Sequence, residues 1–468
     1  MPKILTEASS SSTERLDVTT NLLNLYSFLK IPFEIAEKKL CELTTYFTLE
    51  NAYRQNTISL TASENYPSVL IRASAAGRNG SFYHFSPPYN TSAGEWFFPD
   101  SGMMQTLSQQ LQDTGKELFG CETFDWRPNG GSCAEEAILL AVCNRGDAFV
   151  HFAHKDGGHF AVEPLAEKIG IQIYHFPMEE RSWLIDVAGL DRLLRDHPNI
   201  KLILLDQSFK LRWQPLIAIR NITPENVVIS YDCSHDACLI AGGVLPQPLL
   251  EGANILHGNV HKTIPGPQKA FISFSKKDHP AFVPTSDWVA PKLQSNCHSE
   301  QLCPMLLSFL ELKLFSIDYA NQIVKNAKAL ASFLKEEGFV ISGESFGYTE
   351  THQVHVILGS YENALKCVTE ILESIGIRSN NIEIPGTNGK YGLRLGTQAM
   401  TRRGMKEKDF KEIAKILAKA ILKNGNLVEL RYEVEELLQS FPLFPLKFSL
   451  DCLVERESGQ NFLQEIFV

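Results

Sequence analysis

Two short segments in the middle of the chain have the residue types and spacing for amine chemistry. Asp232-Cys-Ser-His235 closes one predicted strand, and His261-Lys262-Thr263 follows another. Ligands of open α/β sheets bind outside the carboxyl ends of the strands, so an acid and a lysine at two such ends converge on one pocket. A desolvated lysine there is an amine nucleophile. Alone, either residue would more often be structural; it is their pairing with three further segments that points to a site.

The first of these is Arg127-Pro-Asn-Gly-Gly131-Ser132, which precedes a helical run over Ala134–Val142. Glycines before a helix free backbone N–H groups at its positive end to meet an anion, and Ser132 adds a hydroxyl. The second is Asp156-Gly-Gly-His159, where a histidine after two glycines can lie flat on an aromatic ligand; an idle loop histidine is the plainer account. The third is Leu393-Arg394-Leu-Gly-Thr397. An arginine between apolar residues is costly to bury without an anion, and its planar fork suits a carboxylate. Arg402 and Arg403, further on, are assigned to a helix start or to the surface.

The elements that must position these residues read as α/β. Apolar runs of strand length recur at Phe149–Phe152, Ile171–Phe176, Lys201–Asp206, Val227–Asp232, Ile255–Val260 and Ala270–Phe274. Helix-compatible stretches separate most of them, as in a mostly parallel sheet covered by helices. Beyond Pro304 the pattern changes to a long helix over Met305–Gly338, a strand at Gln353–Leu358 and an amphipathic helix at Tyr361–Ile375 with Gly376 as its cap. Extended segments at Ile377–Ile384 and Leu393–Leu395 and a helix over Glu407–Lys423 complete a smaller α/β domain. The expected division is a disordered stretch at 1–20, a helical arm at 21–60, a large domain at 61–310 and a small domain at 311–468.

A net charge of −10 argues against nucleic acid or an anionic membrane as a partner held by bulk charge. No apolar run is long enough to span a bilayer, and the polar, Ser/Thr-rich first twenty residues do not look like a secretory signal. Ten cysteines lie scattered without zinc-like pairs. The tightest grouping, Cys297, His298 and Cys303, reads as buried or idle thiols, so no metal is expected, and a reducing cytoplasm suits the whole.

The order of these segments resembles the serine hydroxymethyltransferase family of fold-type I pyridoxal-phosphate enzymes. Ala62-Ser63-Glu64-Asn65, Gly131-Ser132, Asp156-Gly-Gly-His159, Asp232-x-x-His235, His261-Lys262-Thr263 and Arg394-x-Gly-Thr carry the likeness. The resemblance implies an aspartate aminotransferase-like fold with pyridoxal 5'-phosphate linked to Lys262. It implies Asp232 on the pyridine nitrogen with His235 beside it, and His159 stacked on the ring. Gly131 and Ser132 match the phosphate cradle, Ser208 and His261 are further cofactor contacts, and Arg394 and Ser63 match substrate-binding positions. Tyr83 matches an active-site tyrosine that the family supplies from a second subunit, which implies a homodimer with shared sites.

The departures narrow the resemblance. Phe85 stands where the family has a catalytic glutamate, and Ala93-Gly-Glu95-Trp96 replaces an Arg-Tyr-Tyr-Gly-Gly element. Gln268 and Glu135 stand for an arginine and an asparagine. Leu60-Thr-Ala-Ser-Glu-Asn-Tyr-Pro, Phe124-Asp-Trp-Arg-Pro-Asn-Gly-Gly and His261-Lys-Thr-Ile-Pro-Gly-Pro-Gln are similar to the L-threonine transaldolases of the obafluorin biosynthetic type. That branch implies L-threonine and an aldehyde, aryl by the aromatic stretch Phe82–Phe98, as substrates. The alternatives are a hydroxymethyltransferase or threonine aldolase, or a non-catalytic scaffold that keeps only the fold. His159, Glu64, His84 and Glu95 suit the β-hydroxyl proton by type.

Overall fold

The structure, a computed structural model, describes residues 33–77, 82–83, 102–179 and 182–467. The start of the chain, the segment after Tyr83 with His84, Phe85 and Glu95, and most of the aromatic stretch lie outside the described residues. The described residues up to 56 form one compact unit and those from 57 onward another. In the first, α1 (Phe33–Gln55) carries no buried residue, and Phe33, Ile35, Leu40, Leu43, Phe47 and Leu49 are exposed along it.

The second unit holds thirteen described strands. They are β1 (Ile58–Ser59), β2 (Thr123–Asp125), β3 (Ala148–His151), β4 (Gln172–His175), β5 (Ile200–Leu205), β6 (Val228–Asp232) and β7 (Ile255–Asn259). Then follow β8 (Ala270–Phe274), β9 (Val340–Ile341), β10 (Gln353–Gly359), β11 (Ile377–Arg378), β12 (Asn380–Glu383) and β13 (Tyr391–Gly396). A seven-stranded sheet runs β2-β8-β7-β6-β5-β3-β4. Its strands β7, β6, β5, β3 and β4 are parallel, and β8 is antiparallel to both neighbours. The apolar run Ile200–Leu205 is buried almost throughout, as a strand covered on both faces requires. A smaller antiparallel sheet runs β12-β13-β10-β9, and β1 pairs with β11.

Four helices matter for the site: α2 (Gly131–Val142), α3 (Val162–Ile169), α4 (Leu302–Glu336) and α5 (Glu407–Ile421). The 35 residues of α4 reach about 52 Å. Its first half, with Met305, Phe309 and Leu312, packs into the core of the large sheet. Its second half, with Ala327, Leu330 and Leu334, packs into the core of the small one beside Phe410 and Leu417 of α5. Both cores are therefore built on one rod. No helix among the described residues is long and apolar enough to cross a membrane.

The mostly parallel sheet, the smaller α/β part and the long helix agree with the sequence reading. Two features differ from it. The amphipathic stretch from Tyr361 widens into a π-helical turn at Cys367–Leu372 before ending at Gly376 in the left-handed region. Arg402 and Arg403 are not surface groups: they are 0% and 2% exposed. Arg402 pairs with Glu311 and donates to the carbonyls of Tyr66 and Phe448, and Arg403 donates to the Phe441 carbonyl at 2.7 Å. The residues around Phe441 and Phe448 that cover them carry no regular apolar period that would mark them as a packing surface.

Candidate active site

The ends of β6 and β7 bring Asp232 and Lys262 close enough for each to act on the other's charge. Lys262 Nζ lies 3.4 Å from His235 Nε2. Asn65 Nδ2 donates to the Lys262 carbonyl at 2.8 Å and fixes the loop that carries the lysine. Burial pushes the Lys262 ammonium below its ordinary range; Asp232 draws it up and Arg394 presses it down further. Burial alone would raise the Asp232 carboxyl. His257, Lys262 and the Ser234 N–H, which donates to Oδ1 at 2.8 Å, outweigh burial and hold it below the usual carboxylate range. Burial and the two cations Lys262 and Arg394 keep His235 neutral, and burial pushes His261 down to about 4.

Above Asp232 lies a group that the sequence reading named only as a departure. Glu135, on the first turns of α2, is fully buried, and its Oε2 lies 3.3 Å from His159 Nδ1. Burial and the Asp232 charge raise the Glu135 carboxyl. Burial lowers His159, but the contact and charge of Glu135 overcome it and carry the imidazole above its ordinary value. The two atoms face each other in a buried position, and neither has a hydrogen-bond partner of good geometry among the described residues. His257 joins them: ligand atoms of Glu135, Asp232 and His257 lie within 4.8 Å of one another, and His257 Nε2 has no hydrogen-bond partner.

The glycine pair before His159 has a steric reason. A Cβ on Gly158 would stand 1.9 Å from the Phe152 carbonyl oxygen, so only glycine lets this loop fold onto the strand end. The His159 N–H then donates to Asp206 Oδ2 at 3.3 Å. At α2, Gly131 N–H donates to Asn259 Oδ1 at 2.9 Å, and a Cβ there would meet the same side chain at 2.6 Å. Gly131 and Ser132 thus start the helix against β7, where first-turn N–H groups lack acceptors within the helix.

Arg394 enters from β13 and is 7% exposed. It donates to Asn380 Oδ1 at 3.2 Å and to the Ser208 carbonyl at 3.3 Å, and it stacks on Phe209. Among the described residues no carboxylate pairs with it, and burial lowers it to about 10. Ser63 follows Ala62, whose carbonyl is 3.1 Å from His352 Nε2; the His352 ring in turn stacks on His235. Glu64 is committed elsewhere, paired with Arg378 at 2.7 Å. Tyr83 is 44% exposed, on a stretch whose Phe82 carbonyl accepts from Ser299 Oγ.

Glu135, His257 and His352 are the site groups that sequence reasoning missed. Only Glu135 left a signal, as an acid at a position where the family has an amide.

Pyridoxal phosphate carries an anionic phosphate, a basic ring nitrogen and a carbonyl, so it needs an amide cradle, an ionised carboxylate and an amine. The first turn of α2, Asp232 and Lys262 fit those needs, and His235, His257 and His261 each keep a buried nitrogen without a hydrogen-bond partner that a polar occupant would satisfy. Fold and site thus define a pyridoxal-phosphate-dependent enzyme of the transferase type. The model of the serine hydroxymethyltransferase family matches residues 37–417. The chain belongs to that family.

Relatives named serine hydroxymethyltransferase agree. That of Archaeoglobus fulgidus is 33% identical over 405 residues, which cover 85% of this chain and 90% of the relative. That of Saccharolobus islandicus is 30% identical and covers 90% and 96%. A crystal structure of an L-threonine transaldolase from Pseudomonas fluorescens, in its internal aldimine state, is 51% identical with a TM-score of 0.90. The match covers 94% of this chain and 99% of that one.

Proposed function

We propose that the protein is an L-threonine transaldolase. It cleaves the Cα–Cβ bond of L-threonine, releases acetaldehyde and joins the remaining glycine unit to an aryl aldehyde, giving a β-hydroxy-α-amino acid. The observation that carries this reading is the 51% identity, over nearly the whole of both chains, to a transaldolase of the same fold. Phe85 in place of the family's glutamate supports it, because an apolar ring cannot move a proton for folate-dependent chemistry.

When bound, pyridoxal phosphate supplies an electron sink for charge at Cα. In this reading Lys262 is the amine that holds the cofactor and later displaces product. Asp232 keeps the ring nitrogen protonated, with His235 and His261 beside it. Gly131, Ser132 and Ser208 hold the phosphate end. Arg394 takes the threonine carboxylate in a two-pronged pair, and Ser63 contacts the substrate. His159 covers the ring. Glu64 is engaged by Arg378, which favours His159 as the described group that handles the β-hydroxyl proton. The enzyme works as a cytoplasmic homodimer, with Tyr83 supplied to the neighbouring subunit's site.

A second reading, serine hydroxymethyltransferase or threonine aldolase, has the names of the curated relatives in its favour. One assay separates them. Acetaldehyde release from threonine is measured with and without a panel of aryl aldehydes, beside serine with tetrahydrofolate. The expected result is release only with an aldehyde, one coupled product per acetaldehyde, and poor turnover of serine. Equal turnover of serine with folate, or release without coupled product, would reassign the enzyme.

A further inference from the structure

Behind the His159 loop lies a cluster that the reaction does not use. His151 is the last residue of β3 and His175 the last of β4, and they are register partners across the parallel pair. Residues paired in this way point to the same face of the sheet. Their rings stand 5.2 Å apart. Glu163, in the first turn of α3, reaches between them. Its Oε1 lies 3.0 Å from His151 Nε2 and 3.1 Å from His175 Nε2. The three ligand atoms all fall within 4.8 Å of one another.

The other nitrogen of His151 decides what this cluster lacks. Nδ1 is 3.0 Å from Asp206 Oδ2, and the Asp206 carboxylate also accepts from the backbone N–H groups of Phe152 and His159. An acceptor of three donors fixes the His151 proton on Nδ1. The lone pair on Nε2 then faces the Glu163 oxygen in a fully buried position, and no hydrogen bond is made there. Either a second proton on His151, which burial opposes and Asp206 and Glu163 favour, or a metal ion closes this contact. His175 Nε2 meets the same Glu163 oxygen within hydrogen-bond distance, so one small cation at this point would reach all three groups.

We propose that His151, His175 and Glu163 form a binding site for one divalent cation of the zinc type. Two imidazoles and a carboxylate are a ligand set for such ions. Ligand atoms about 3.3 Å apart are what tetrahedral bonds of about 2.0–2.1 Å produce. Asp206 on Nδ1 supplies the carboxylate–histidine–metal arrangement that orients a metal-binding imidazole. His175 and Glu163 are 47% and 33% exposed at the side chain, which leaves the fourth position open to water. The same Asp206 holds the His159 N–H, so the cation ties the ends of β3 and β4 to the loop over the cofactor.

The test uses tag-free holoenzyme freed of metal by dialysis against a chelator. Zn²⁺ is titrated in competition with a chromophoric chelator, and Co²⁺ is added separately as a spectroscopic probe. One tight equivalent per chain is expected, with visible Co²⁺ bands of four-coordinate intensity and a Zn²⁺-dependent rise in melting temperature. His175→Ala and Glu163→Gln, both at solvent-reaching positions, should each weaken binding at least tenfold. Circular dichroism checks the fold of both, and either folded variant suffices. No uptake by wild type, or uptake that the folded variants retain unchanged, overturns the site.

Discussion

Where α4 passes between the two cores, Arg402 is wholly buried against Glu311, whose other oxygen accepts from the Leu450 N–H at 2.9 Å. At the strand ends, Arg394 is almost as deeply buried, yet no carboxylate pairs with it among the described residues. Around it His235, His352 and His355 each keep a buried nitrogen without a hydrogen bond. The junction closes its charges on one another; the pocket leaves its charges open. Burying an open charge lowers stability, so its retention points to a ligand that closes it.

The sharpest break in that contrast comes from Lys262→Ala. It should remove the borohydride-reducible yellow chromophore and cut turnover by on the order of 10³-fold or more, while the fold stays intact. Mass spectrometry of the reduced wild-type protein should place the adduct on Lys262; another lysine would reverse the assignment.

At the junction, Arg402→Met should cost about 3–5 kcal/mol in urea unfolding, because it strands the Glu311 charge. Adding Glu311→Leu should recover most of the loss. If the single change is nearly neutral, the junction is not a closed pair and the contrast fails.

Arg394→Ala should do the opposite. Threonine binding should weaken by on the order of 10²-fold, with the cofactor still bound and the urea midpoint of the threonine-free enzyme not lowered. Unchanged threonine affinity would remove Arg394 from the substrate site.

The smallest effect is electrostatic. Glu135 raises His159 above its ordinary value, so the stabilisation from this pair is complete below the usual imidazole range and fades as pH rises through the raised value. In Glu135→Gln burial and Lys262 lower His159 against Asp232 alone, and the His159 titration followed by proton NMR should move to lower pH. A midpoint that stays in place would show that Glu135 does not raise His159.

Much of the pocket was legible in the sequence because its parts sit at element ends. Asp232 and Lys262 follow strands whose apolar runs are unmistakable, and Ala270–Phe274 has the same bounds in the sequence reading and in the structure. His257 and His352 were not legible. Each is a single polar residue in or beside a buried strand, and only the packing of distant segments shows that it faces the pocket. Arg402 and Arg403 were misread for a related reason: the carbonyls they meet belong to Phe448 and Phe441, about forty residues further along the chain, in a stretch without helical or strand period.

Arg394 belongs to a strand whose Leu393 and Leu395 sit in the small-sheet core, whereas Lys262 follows a strand of the large sheet. The guanidinium donates to the Ser208 carbonyl, which belongs to the large-sheet side. In the proposed reading an amino acid held by its carboxylate at one end and its nitrogen at the other becomes a strut between the two halves. Its binding energy is then also resistance to their separation. Saturating threonine should therefore make the halves melt as one, with a transition temperature that climbs with the logarithm of substrate concentration.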